Sequence, residues 1–262
     1  MGPVRDDDTI RPLDSEDLWR SLYDDVLVPS FPPVELDDRE TLLDHLRSGA
    51  LRARGVVRDD RVVAGIATLV LPPGPHEPAG PAAALVLYLA IAPGLRGGGL
   101  GGALLDDAVH DALDHGADVV LVEVEHPGHH EASPEHGDPA SRLRFYARHG
   151  MRVLAVPYFQ PALGPGRDRV PALLLGVLGL SDAGVAARGS AGSPAAVRAE
   201  PVRTFLRRYL AWCEGSLSDD AAVGDLLGAV ASEQVRAVAP DRIDLVPVGT
   251  LGPTTLRAPD PA

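Results

Sequence analysis

The chain has 262 residues, 45% of them hydrophobic but only 4% aromatic, and a formal net charge of −13. That length holds one ordinary domain with an extension, or two small ones, and the composition supports a sizeable core packed mostly from Leu, Val and Ala. Acid excess without a basic stripe excludes a sequence-independent nucleic-acid surface, and a lone cysteine, Cys213, excludes an internal disulfide.

Taken in order, Thr9–Leu13 reads as a strand, and Asp14 or Ser15 caps a helix to about Val28 that places Leu18, Trp19, Leu22 and Val26 on one face. Pro29–Pro33 breaks it, and Asp37 or Asp38 starts a second helix that stops at Gly49. Arg52–Val57 and Arg61–Leu71 alternate as a hairpin around Asp59-Asp60, and the Pro/Gly loop 72–81 leads to an apolar strand over Ala82–Ala92. Pro93 ends that strand, and Gly97, Gly98, Gly99, Gly101 and Gly102 crowd the turn after it. Leu100, Leu104, Leu105, Ala108 and Ala112 then recur at helical spacing.

Strand, glycine turn and helix N-terminus together make an anion site. Free backbone N–H groups, the helix dipole and absent Cβ atoms suit a phosphate or pyrophosphate, and Arg96 adds a fixed cation. A nucleotide-triphosphate loop is excluded because no Gly-Lys-Ser/Thr triplet follows. A dinucleotide fingerprint, Gly97-x-Gly99-x-x-Gly102 with Glu123 further on, matches locally. The hairpin before it, however, is not the βαβ context that fingerprint needs.

Val119–Glu125 is the next strand, with Glu123 and Glu125 on one face, and His126–Pro139 is a polar loop. Pro139–His149 reads as a helix ending at Gly150, and Arg152–Tyr158 and Arg169–Leu178 as two last strands. This order predicts an α+β fold in αβα layers. Its sheet is mixed and mostly antiparallel, with one parallel crossover at the glycine turn. His126, His129, His130 and His136 lie in a Pro/Gly loop without rigid spacing, so no metal site is expected.

Arg96-x-x-Gly99-x-Gly101 after Ile91-Ala92-Pro93 resembles the acyl-CoA loop of the GNAT N-acetyltransferase family, and Tyr146-Ala147-Arg148-His149-Gly150-Met151 is similar to that family's Tyr-x-x-x-Gly-Phe segment, with Met for Phe. The resemblance runs from about residue 9 to 179. It implies acetyl-CoA as co-substrate, held by Ile91, Arg96, Gly97, Gly98, Gly99, Leu100, Gly101 and Gly102. It also implies Glu123 as the base, with Glu125 as its alternative, and Tyr146 as donor to the leaving sulfur. Tyr88 on the central strand is read as packing. Where the family often carries Asn, this chain has Pro139, with Asp138 and Ser141 as substitutes. The resemblance places the acceptor walls at Pro29–Glu35 and Phe159–Arg169; both are Pro-rich, which suits a shaped pocket for a small-molecule amine. An acyl-CoA-binding module without turnover, or a dinucleotide-dependent oxidoreductase, is the alternative.

Residues 1–180 are read as the acyltransferase domain, 181–200 as an Ala/Gly/Ser linker, and 201–262 as a helical extension with helices over Pro201–Glu214 and Asp219–Val238, the latter capped by Ser218, then a strand over Asp241–Leu251 and a tail. Phe205, Leu206, Tyr209, Leu210 and Trp212 need cover from the first domain or from a homodimer partner. The N-terminus shows no apolar signal region and no run is long enough for a bilayer, so a cytoplasmic protein without membrane or nucleic-acid partners is expected.

Overall fold

The computed structural model describes residues 8–33, 35–71, 82–133, 137–164, 166–188 and 194–251. The loop 72–81, His136 and the tail lie outside the described residues. One mixed sheet organises the molecule. Its strands are β1 (Ile10–Pro12), β2 (Leu51–Arg58), β3 (Arg61–Val70), β4 (Ala82–Ile91), β5 (Ala117–Glu125), β6 (Arg152–Leu154), β7 (Leu173–Leu180), β8 (Val185–Arg188), β9 (Pro194–Arg198) and β10 (Gln234–Val238). They lie in the order β1-β2-β3-β4-β5-β7-β6-β10-β9-β8. Every neighbouring pair is antiparallel except β4 and β5, which run parallel as the sequence predicts.

Helices cover both faces. On one lie α3 (Leu100–Asp114) and α4 (Pro139–Arg148), over Val120, Val122 and Val124 of β5. On the other lie α1 (Glu16–Leu22), α2 (Arg39–Ser48), α5 (Ala199–Glu214) and α6 (Ala221–Ala229). Ser15 caps α1 by accepting from Leu18 N–H, and a π-helical turn, Tyr23–Leu27, carries that helix on to the proline break. Asp38 caps α2, which ends at left-handed Gly49.

The C-terminal third differs from its reading. Within the segment read as a linker, Val185–Arg188 and Pro194–Arg198 pair as β8 and β9, and β9 leads directly into α5. The helix predicted over Asp219–Val238 stops at Ala229, and Gln234–Val238 is a strand between β6 and β9. Asp220 caps α6, with Ser218 donating to the cap instead of serving as it. Pro240–Leu245 is a 3-10 turn, and Val248 bridges Tyr158. The apolar face of α5 finds its cover within the chain: Val202, Phe205, Leu206 and Tyr209 share one core with Leu85, Leu121 and Leu175 of the central strands.

Candidate active site

The site begins where the parallel pair parts. β4 and β5 stay paired from Ala82 opposite Ala117 to Val86 opposite Val122, and no further. A bulge sits at that point. Ala67 of β3 pairs with Tyr88 and Thr68 with Val86, so Leu87 is an extra residue in β4. Such an insertion bends its strand and sharpens the twist. From there to Ile91, β4 leans on β3 alone. Ala92 N–H donates to Val63 O at 2.9 Å, so by strand alternation Tyr88 and Ala90 also face β3, while the backbone groups of Leu89 and Ile91 face the gap. In agreement, Arg96 Nε donates to the outward Ile91 carbonyl at 3.4 Å.

The glycine turn closes one end of this gap. Gly99, at a left-handed φ of 85°, starts α3 without a side-chain cap, whereas Ser15, Asp38, Asp138 and Asp220 cap α1, α2, α4 and α6. Gly102 N–H turns back to Gly99 O at 3.1 Å, so the N–H groups of Leu100 and Gly101 are the ones left for an outside acceptor. Gly102 has a packing reason: a Cβ there would stand 2.6 Å from the His149 ring. The donor set fits a pyrophosphate at α3 and a thioester carbonyl beside Leu89 and Ile91.

A cavity of about 1090 Å³ opens from this point, and Ile91, Arg96, Gly101, Glu123 and Tyr146 all line it. Gly97, Gly98 and Gly99 are exposed on the turn, and the Leu100 side chain belongs to the core. Asp138 and Ser141 are occupied at the start of α4, where Asp138 accepts from Ala140 and Ser141 N–H. They do not reach the cavity.

Glu123 lies past the end of the β4 pairing, on the face shared with α5. Tyr158 Oη donates to its Oε1 at 2.6 Å, and Gln160 Nε2 donates to its Oε2 at 3.0 Å. Burial pushes the Glu123 carboxyl up from its ordinary range, while Tyr158, Gln160 and Tyr209 pull it back. Tyr146 is 8% exposed, and burial pushes its phenol up to about 12. Glu125 shares the cavity, but Arg142 Nη1 stands 3.5 Å from its Oε2. Tyr88 is a latch: its hydroxyl donates to Asp37 Oδ2 at 3.0 Å and accepts from Asp37 N–H at 3.2 Å, tying β4 to the start of α2.

Described residues of both Pro-rich walls line the cavity, among them Phe31, Pro32 and Pro33 from one and Gln160, Leu163 and Arg167 from the other. Phe31 packs edge-on against Tyr88 with centroids 5.3 Å apart, and Arg167 Nη2 reaches across to donate to Leu36 O at 3.3 Å. Sequence reasoning missed Tyr158, Arg142 and Tyr209. Tyr158 lay in a segment read as strand, and Tyr209 in helices with no assigned partner.

The model of the acetyltransferase (GNAT) family matches residues 18–151, just over half of the chain. Among solved structures, a GNAT-family protein from Bacteroides thetaiotaomicron is 26% identical, with 67% of this chain and 89% of that one covered at a TM-score of 0.49. The ribosomal-protein-S18-alanine N-acetyltransferase from Escherichia coli is 19% identical, with 70% and 99% covered and a TM-score of 0.44. A GNAT family acetyltransferase from Elizabethkingia anophelis, solved with acetyl-CoA bound, is 16% identical, with 67% and 100% covered and a TM-score of 0.41. None of the curated proteins matches.

Proposed function

The chain belongs to the GNAT acetyltransferase family, and we propose that it acetylates the amine of a small molecule, with Glu123 as general base and Tyr146 as general acid. Acetyl-CoA, the co-substrate, supplies an activated acetyl thioester. Arg96 and the first turn of α3 receive its phosphates, and the N–H groups of Leu89 and Ile91 are the donors available to the thioester oxygen as it gains charge. Glu123, its basicity raised by burial, takes the proton from the attacking amine, directly or through one water. Of the roughly four acceptor positions of a carboxylate, Tyr158 and Gln160 fill two, so positions remain for that proton. Tyr146 keeps its proton across the physiological range and gives it to the departing sulfur.

The observation that carries this reading is the meeting, on one cavity, of the parted β4–β5 pair with Glu123 and Tyr146. Support for a small acceptor comes from the walls: the bond from Arg167 to Leu36 O ties the two wall segments together beside the cavity and narrows it. On the lining, Glu35, Glu123, Glu125, Glu131 and Asp168 outnumber Arg96, Arg142 and Arg167, a balance that favours a cationic amine.

The test is turnover of acetyl-CoA with a panel of small amines and amino-terminal peptides, read by mass spectrometry. Acetylated small amines are expected, with kcat lowered roughly 10²-fold by Glu123→Gln and roughly 10-fold or more by Tyr146→Phe. Acetylated peptides in their place would overturn the acceptor class. Full activity of Glu123→Gln would overturn the choice of base.

A further inference from the structure

We infer that Tyr209 of α5, outside the stretch matched by the family model, is a positioning residue for Glu123, its buried hydroxyl supplying a third hydrogen bond that holds the carboxylate ionised and aimed into the cavity. This rests on the reading of Glu123 as the base.

Tyr209 is 0% exposed, and among the described residues its Oη has no hydrogen-bond partner. Its ring cannot swing out to water. It is stacked between Phe205 and Trp212, with centroids 5.3 Å and 6.3 Å away, and Trp212 is in turn held against His45 at 4.7 Å. A buried hydroxyl kept from water and from every partner is costly, so its environment must offer an acceptor in some state of the protein. Four groups that can accept stand near: the hydroxyl of Tyr88, already engaged with Asp37, the neutral hydroxyl of Tyr158, the Cys213 thiol and the Glu123 carboxylate. The Cys213 thiol, one helical turn on, accepts weakly. The Glu123 carboxylate accepts strongly and has positions to spare. Burial first, and then the charge of Glu123, keep the Tyr209 phenol well above its ordinary pKa, so it remains a donor.

The other groups that face Glu123 or share its cavity are known by element. They are Glu125 on β5, Tyr88 on β4, Arg96 in the glycine turn, Arg142 and Tyr146 on α4, and Cys213 on α5. His130 and Glu131 follow β5, Glu35 precedes α2, and Tyr158, Arg167 and Asp168 stand between β6 and β7. Tyr209→Phe leaves every one of these side chains in place.

The experiment is a carboxyl NMR titration of protein labelled with 13Cδ-glutamate, the Glu123 signal being assigned by its absence in Glu123→Gln. Tyr209→Phe keeps the ring and its stacking, and is expected to raise the Glu123 midpoint by roughly one pH unit. The acid limb of kcat/KM should move upward with it. 3-Fluorotyrosine placed at position 209, a stronger donor, should move the midpoint down. A melting temperature that changes while the midpoint stays fixed in both variants means a purely structural Tyr209 and overturns the inference. An acid limb that survives in Glu123→Gln overturns the base assignment instead, whatever the midpoints show.

Discussion

Arg169 and Glu214 close the seam between the β6–β7 connection and α5, with Nε 2.7 Å from Oε1 and Nη2 2.6 Å from Oε2. The pair is mostly enclosed, at 17% and 12% side-chain exposure. Arg169 also reaches Asp220, and Glu214 accepts from Ala162 N–H. Ala162 and Arg169, towards the two ends of one Pro-rich wall, are thus both held by the single carboxylate of Glu214 on α5. Glu214→Gln leaves that guanidinium short of one charge, and is expected to cost about 1–3 kcal/mol in urea unfolding. Because the wall loosens and the glycine turn does not, KM for the acceptor should rise several-fold with the affinity for acetyl-CoA unchanged. Calorimetry and steady-state kinetics on the one variant separate the two.

Gly101→Asp probes the anion site. A Cβ at Gly101 would stand 3.4 Å from Ile91 Cδ1 and 3.8 Å from the Phe145 ring, so there is room for the new side chain. Its carboxylate favours the helix N-terminus and competes there with phosphate. A folded protein whose affinity for acetyl-CoA is at least roughly 10²-fold weaker is expected by calorimetry. Gly101→Ala, which adds bulk without charge, should bind far more tightly than Gly101→Asp.

Glu123 also makes stability depend on pH. Burial raises its folded-state pKa above the unfolded value, so the folded chain holds this proton more tightly than the unfolded one. Its protonated form favours folding at low pH, and that contribution is lost as pH rises from the unfolded pKa through the folded one. Glu123→Gln, which cannot ionise, should therefore melt higher than the native chain at pH 8, with the difference shrinking as the solution is acidified. A constant difference across that range would show that the carboxyl is not perturbed in the fold.

What could be read from the chain was what is local. Pro93, the glycines from Gly97 to Gly102 and the period of Leu100, Leu104 and Leu105 lie within one strand–turn–helix unit, and each constrains the backbone where it stands. The C-terminal third was misread because its decisive contacts are distant. Val235 and Ala237 are buried between exposed Gln234 and Arg236, a period of two too short to stand out after a helical run. The alanines of β8 and β9 have little strand preference of their own, and pairing next to β10 decides them. The surroundings of Glu123 were illegible for the same reason. Tyr158 and Gln160 reach it from 35 and 37 positions away, and no pattern near Glu123 announces them.

Because β4 carries the extra residue Leu87 against β3 and leaves β5 after Val86, two kinds of amide alternate in the middle of the sheet. Tyr88, Ala90 and Ala92 are locked to β3, while the amides of Leu89 and Ile91 between them find no partner among the described residues and are left to solvent or a ligand. In deuterium oxide the strand should therefore label like a comb, fast at every second tooth, and acetyl-CoA should blank out the fast teeth alone. A pattern of that kind would come from one inserted residue, at a place where most of the neighbouring side chains are buried.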